Sequence, residues 1–115
     1  KNMAVSPGLH NITLQREADW SEAIQITDAN DAAMDLAGYT ITAQAWDSNR
    51  EVKHADFTIT YTNRTLGKFE LTLTDTQTLT FPDTLYYDVL LEYTPTGKKE
   101  YYLEGTITVS QGFTR

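Results

Sequence analysis

Apolar residues recur at every second position along this chain, the period of a half-buried strand, and almost nowhere at the three-to-four spacing of a helix. Tyr39, Ile41, Ala43 and Ala45 share one face by that rule, as do Phe69, Leu71 and Leu73, and as do Leu85, Tyr87, Val89 and Leu91. Threonine and tyrosine, which suit a pleated surface, fill the alternating segments. The pattern predicts about seven strands: residues 11–16, 20–27, 39–47, 57–61 and 68–74, then the two arms of a hairpin closed by Thr94-Pro95-Thr96-Gly97-Lys98. Turn signals separate them: the cluster Asp28-Ala29-Asn30-Asp31, the bend Asp35-Leu36-Ala37-Gly38, a polar loop at 48–53 and a turn at 63–67. Asp75 is placed to cap a short helical turn through Leu79 that crosses between sheets. Short strands at regular spacing make an all-β chain, an antiparallel sandwich of two sheets. Residues 1–115 read as one domain, with 1–10 as an extended arm.

The last hairpin can be given a register. A type I turn with Pro95 at its first corner and Gly97 in a left-handed bulge position pairs Thr94 with Lys98. Leu91 then faces Tyr101, Val89 faces Leu103, and Tyr87 faces Gly105 with its ring over bare backbone. On the outer face Glu92 opposes Glu100 and Asp88 opposes Glu104, with Tyr86, Leu90 and Tyr102 between them. Like charges across a ladder destabilise it. Either Lys98, Lys99 and water relieve the repulsion, or the face is an acid-rimmed aromatic surface that docks another protein. In the second reading its contact residues are Tyr86, Leu90, Glu92, Tyr102 and Glu104. Trp46 lies opposite Ile41, Ala43 and Ala45 and so points outward, to anchor an interface, stack on a sugar ring, or be covered by its own loop at 49–53. Trp20 begins a strand and packs at one end of the core.

Composition changes this picture in a few places. A chain of 115 residues buries ~65% of its unfolded surface, enough for a core without staples. There is no cysteine, hence no disulfide and no thiolate metal site. The net charge of −7 argues against a nucleic-acid partner, as does the lone adjacent basic pair Lys98-Lys99. Such an acidic surface is either simply solvated or seeks a basic partner. No apolar run approaches the ~20 residues of a membrane span, and none has the layout of a secretory signal. His10 and His54 are the only histidines, and no nucleophile elbow or phosphate loop is present. The pair Asp88 and Glu104 falls on a hairpin face expected to be flat, without the dry concavity that would raise one pKa, so no catalytic residue is assigned and no enzyme expected. Residues 28–31 with Asp35 fail calcium-loop spacing, because Ala32 and Ala33 stand where a ligand and a glycine belong, and no metal or cofactor is predicted. Asn11-Ile12-Thr13 and Asn63-Arg64-Thr65 match the glycosylation acceptor pattern, which arises by chance in a threonine-rich chain.

The run Asp83-Thr84-Leu85-Tyr86-Tyr87-Asp88-Val89 resembles the strand that carries a tyrosine corner in immunoglobulin-type sandwiches, with Val89 where antibody domains place a cysteine. Other segments resemble a group of short bacteriophage proteins, similar in style to the N-terminal domain of the phage baseplate upper protein. Gln15-Arg16-Glu17-Ala18-Asp19-Trp20 is similar to that group's Gln-x-Gly-Ala/Asp-Asp/Thr-aromatic lead into the second strand, with Glu17 in place of the glycine. Asp35-Leu36-Ala37-Gly38-Tyr39-Thr40 resembles its Asp-Leu-Thr-Gly-x-Thr bend. Tyr87-Asp88-Val89, the run from Leu103 through Val109, and Thr114-Arg115 resemble its closing hairpin. The resemblance implies an immunoglobulin-like module of a virion, in a tail, baseplate, fibre-attachment or capsid-surface role. It implies a non-enzymatic assembly or decoration function, other virion proteins as partners in symmetric multicopy, and no catalytic residues. The rival expectation is a carbohydrate-binding module for host attachment, centred on Trp46 with Asp47, Asn49 and Arg50.

Overall fold

Every alternating segment forms a strand in the computed structural model, which describes residues 8–28 and 30–111. In chain order the strands are β1 (Gly8–Leu9), β2 (Ile12–Gln15), β3 (Trp20–Gln25), β4 (Tyr39–Trp46), β5 (Lys53–Asp56), β6 (Thr58–Asn63), β7 (Lys68–Leu73), β8 (Thr84–Tyr93) and β9 (Lys98–Ser110). A 3-10 turn, Arg64–Leu66, links β6 to β7, and a helix α1, Asp75–Leu79, links β7 to β8. The larger sheet runs β1-β9-β8-β4-β5, with β2 following β1 along the same strand β9; the smaller runs β3-β7-β6. Pairings among β3 to β9 are antiparallel, whereas β1 and β2 lie parallel to β9. Three strands in the order β3-β7-β6 packed on β9-β8-β4 make an immunoglobulin-like β-sandwich.

The inward faces build one core. Ile41, Ala43, Ala45, Leu85, Tyr87, Val89 and Leu91 of the larger sheet are buried against Phe69, Leu71 and Leu73 of the smaller one. Trp20 meets Phe57 edge-on, with ring centroids 5.9 Å apart, and Phe57 in turn packs on Tyr87 at 5.8 Å. Three predicted details differ. Residues 48–61 hold two strands rather than one, and Gly8–Leu9 of the expected arm forms a further short strand, so the described residues carry nine strands instead of about seven. After β5 pairs with β4, the chain changes sheets at Phe57, whose N–H donates to the Ala43 carbonyl at 2.9 Å. Secondly, α1 is capped by Thr74 and not by Asp75: the Thr74 hydroxyl accepts from the Gln77 N–H, and the Gln77 side chain accepts from the Thr74 N–H. The same helix buries Thr78 completely, because its hydroxyl accepts from the Ala18 N–H at 3.1 Å and donates to the Ala18 carbonyl at 3.0 Å. That clamp fixes the turn before β3, where Glu17 sits in the left-handed region with φ 63°.

The third difference is in the closing hairpin. Gly97 is left-handed as the turn requires, but Tyr93, not Thr94, pairs with Lys98. Tyr87 faces Gly105 and Val89 faces Leu103; beyond them Tyr102 is an extra residue on β9, and the register shifts. Leu91 therefore faces Glu100 rather than Tyr101, and Glu92 faces Lys99 rather than Glu100. Of the two like-charge pairs expected, the bulge removes one and leaves Asp88 opposite Glu104.

Residues 1–7 of the expected arm, and the terminal Thr114-Arg115, lie outside the described residues. What is described of the arm binds tightly to β9. The His10 N–H donates to the Glu104 carbonyl at 2.9 Å, and the Thr106 N–H donates to Asn11 Oδ1 at 3.1 Å. The Tyr87 hydroxyl donates to the His10 carbonyl at 2.5 Å. It thus ties the N-terminal strand to the core rather than closing a local corner a few residues upstream. The space above Gly105 is filled by the His10 carbonyl, not by the Tyr87 ring as the register alone suggested. Burial, with the Glu22 carboxylate as a second cause, pushes the Tyr87 hydroxyl well above its ordinary pKa, so it stays a donor. His10 Nε2 lies buried 2.7 Å from Glu22 Oε2, an ion pair when the imidazole is protonated, made off the line of an ideal hydrogen bond.

Candidate functional site

The two outer faces of the sandwich are chemically unlike. On the smaller sheet the outward rows are Ser21, Thr72 and Thr58, then Ala23, Glu70 and Thr60, then Gln25, Lys68 and Asn63: mostly polar and without an aromatic ring. On the larger sheet the pairings set out three richer rows. Trp46, Tyr86 and Thr106 form the first, Gln44, Asp88, Glu104 and Leu9 the second, and Thr42, Leu90 and Tyr101 the third. The first two rows, with Arg50 from the turn between β4 and β5, enclose a groove of about 430 Å³. A smaller recess of about 110 Å³ continues it over the third row. Tyr87 and Gly105 lie in its floor.

Each wall has a local cause. The indole N–H of Trp46 donates to Gln44 Oε1 at 3.1 Å, holding the ring along β4. Asp47 organises the turn that follows: its carboxylate accepts from the Glu51 N–H at 2.8 Å, which lowers its pKa, and its carbonyl accepts from the Arg50 N–H. Arg50 itself is left-handed, with φ 56°. Leu9, 75% exposed, comes to the groove through β1, which the arm's hydrogen bonds hold on β9. Asp88 is half-buried, and that burial raises its pKa; Arg50 acts to lower it and Glu104 to raise it further. The face is therefore concave and partly dry, where a flat one was expected.

Of the residues singled out from the sequence, Trp46, Tyr86 and Glu104 line the groove and Leu90 lines the recess beside it. Glu92 lies one row further on, opposite Lys99 and outside both hollows. Tyr102 does not belong to the face: as the bulged residue it packs against the core, and Tyr101, 48% exposed, takes the outward place instead. Asp47 and Asn49 are in the turn and do not line the groove, whereas Arg50 does. Sequence reasoning does not single out Gln44, Leu9, Asp88, Tyr101 and Thr106 as contact residues, although outward alternation on β4 and β8 already marks Gln44 and Asp88. Chemically the groove and recess together offer the rings of Trp46, Tyr86 and Tyr101, two carboxylates, one amide and one guanidinium. Among the described residues no group of three or more His, Asp or Glu side chains is placed to hold a metal ion.

No family model matches this chain. No curated protein matches it either. Among solved structures it is similar to the crystal structure of the Lin-41 filamin domain, with 15% identity and a TM-score of 0.49 over 87% of this chain and 84% of that one. A likeness at that level concerns the arrangement of strands and says nothing of function.

Proposed function

We propose that this chain is a non-enzymatic structural protein of a bacteriophage particle, an assembly or decoration module that docks on neighbouring virion proteins by the outer face of its larger sheet. The observation that carries the reading is the inequality of the two outer faces. Exposed aromatics, an exposed leucine and an opposed carboxylate pair gather on one side, around a groove, and the other side is mostly polar, with Glu70 and Lys68 among its threonines and no aromatic ring. The sequence resemblance to short phage proteins supplies the particle. Each contact would be modest in area, and particle symmetry would repeat it, so that many weak attachments hold together.

Purified particles test this directly: the chain should copurify at a fixed copy number, and Tyr86→Ala or Tyr101→Ala should deplete it from particles without unfolding it. Free monomer in a lysate and none on particles overturns the reading. A second reading, attachment to a host glycan, draws on the Trp46 ring standing beside the Gln44 amide and Arg50, a stacking surface with hydrogen-bonding groups at its edge. Glycan-array binding that disappears in Trp46→Ala would favour it over the first.

A further inference from the structure

We propose that the groove recognises an arginine side chain presented by the neighbouring virion protein, its guanidinium seated between Asp88 and Glu104 and stacked against Trp46 or Tyr86. This deepens the docking role proposed above and rests on it. One carboxylate pair is unfavourable in the free chain. Asp88 and Glu104 are direct cross-strand neighbours on the same face, and like charges so placed repel. The bulge at Tyr102 relieves the other expected acidic pair by bringing Lys99 opposite Glu92, but no lysine reaches this one. Arg50, itself in the groove wall, acts on Asp88 more strongly than Glu104 does and in the opposite sense, yet burial outweighs it, and among the described residues neither carboxylate has a cation within 4 Å. Asp88 is moreover half-buried, so water compensates it poorly.

The walls narrow the chemistry of the missing partner. Aromatic rings of Trp46 and Tyr86 in the adjoining row suit a planar cation, which can lie on a ring face while its N–H groups reach two carboxylates. Gln44 Oε1 is a further acceptor in the row of the carboxylates, although it already takes the indole N–H. The hollow, about 430 Å³, falls within the ~300–1,000 Å³ of small-ligand sites. The net charge of −7 would draw a basic partner segment toward the chain before contact. An anionic or phosphorylated partner is disfavoured by the same charges.

The test uses the full chain labelled with nitrogen-15 and a capped peptide Gly-Ser-Gly-Arg-Gly-Ser-Gly, with citrulline and glutamate versions as controls. The Trp46 indole N–H cross-peak should move saturably with the arginine peptide, while that of Trp20, remote from the groove, stays fixed. The citrulline peptide should bind at least tenfold more weakly. Asp88→Asn and Glu104→Gln should each weaken binding about tenfold, the equivalent of one lost charged contact, with the amide spectrum of the core strands unchanged. Raising salt should weaken it too. No movement of the Trp46 peak at tens of millimolar peptide overturns the inference, as does equal movement with citrulline or in the double variant. Failure here is separable from failure of the docking role. If Tyr86→Ala leaves particles while Asp88→Asn/Glu104→Gln stays on them, docking stands and the arginine site falls. If arginine binds and particles lack the chain, the site stands and the virion role falls.

Discussion

Adding one methyl group at Gly105 should detach the N-terminal arm. A Cβ there would overlap the His10 carbonyl oxygen and lie 2.8 Å from its carbon and 3.0 Å from Asn11 Oδ1. The first two are backbone atoms, so no change of rotamer makes room. Moving the arm gives up the Tyr87 hydroxyl to His10 carbonyl bond, the His10 N–H to Glu104 carbonyl bond and the Thr106 N–H to Asn11 bond. At ~1 kcal/mol net for each, that is a loss of ~3 kcal/mol. Alanine also restricts the unfolded chain and returns ~0.5–1 kcal/mol. The expected cost of Gly105→Ala is therefore about 2 kcal/mol, a fall in Tm of roughly 8 °C for a domain of this size. Urea denaturation measures the total, and amide exchange at His10 and Thr106 reports whether the arm has opened. Tyr87→Phe, which removes only the hydroxyl, should cost about 1 kcal/mol. Gly97→Ala is the control: nothing stands within 4 Å of its Cβ, and only its φ of 74° penalises alanine, by ~1 kcal/mol. A Gly105→Ala chain within 0.5 kcal/mol of wild type, still protected at both amides, would refute the reasoning. Because the arm brings Leu9 to the groove, the same variant should also blunt docking.

Three further outcomes follow from other parts of the molecule. Asp88→Asn should stabilise the fold by about 0.5 kcal/mol at pH 7, since it removes a half-buried charge whose burial outweighs the attraction of Arg50, and with it a like-charge neighbour of Glu104. The folded pKa of Asp88 is raised, so its ionised form costs stability above that pKa; the variant's advantage should shrink as pH falls toward the ordinary 3.8, and an advantage that grows on acidification refutes the assignment. Thr78→Val keeps the shape but strips Ala18 of partners for both its N–H and its carbonyl, and should cost about 2 kcal/mol by chemical denaturation. Glu17→Gly should raise stability by about 0.5 kcal/mol, the relief of a left-handed backbone less the extra freedom of glycine when unfolded, and a loss instead would mean the Glu17 side chain contributes.

Period-two alternation made most of the architecture legible before any coordinates. Phe69, Leu71 and Leu73 and the Leu85 to Leu91 series lie inward as the pattern requires, because a strand buried on one face has little choice of phase. The bulge was not legible, and the reason is local. Tyr101 and Tyr102 are the same residue type, so either one can face outward and leave an aromatic on the surface, and composition does not decide between the two registers. Gly105 carried a signal of close backbone approach within a strand. What approaches, the His10 carbonyl, comes from 95 residues away in sequence, beyond what local pattern reveals. The groove had the same difficulty: Leu9, Trp46, Asp88 and Glu104 come from four strands, and only the sheet order sets them side by side. Glu17 is a further case: it holds a left-handed position, φ 63°, that a glutamate in the sequence does not advertise.

The extra tyrosine in β9 also partitions the hairpin. Below it, Asp88, Glu104, Tyr86 and Thr106 keep one phase, and above it Lys98, Lys99 and Glu100 follow another. A bulge of this kind acts as a joint between two independently tunable segments: the distal loop can gain, lose or exchange residues while the groove walls of β8 and β9 keep their alignment. Variation among related chains should accumulate on the far side of that joint, and diversification of the tip should leave the acidic pair undisturbed.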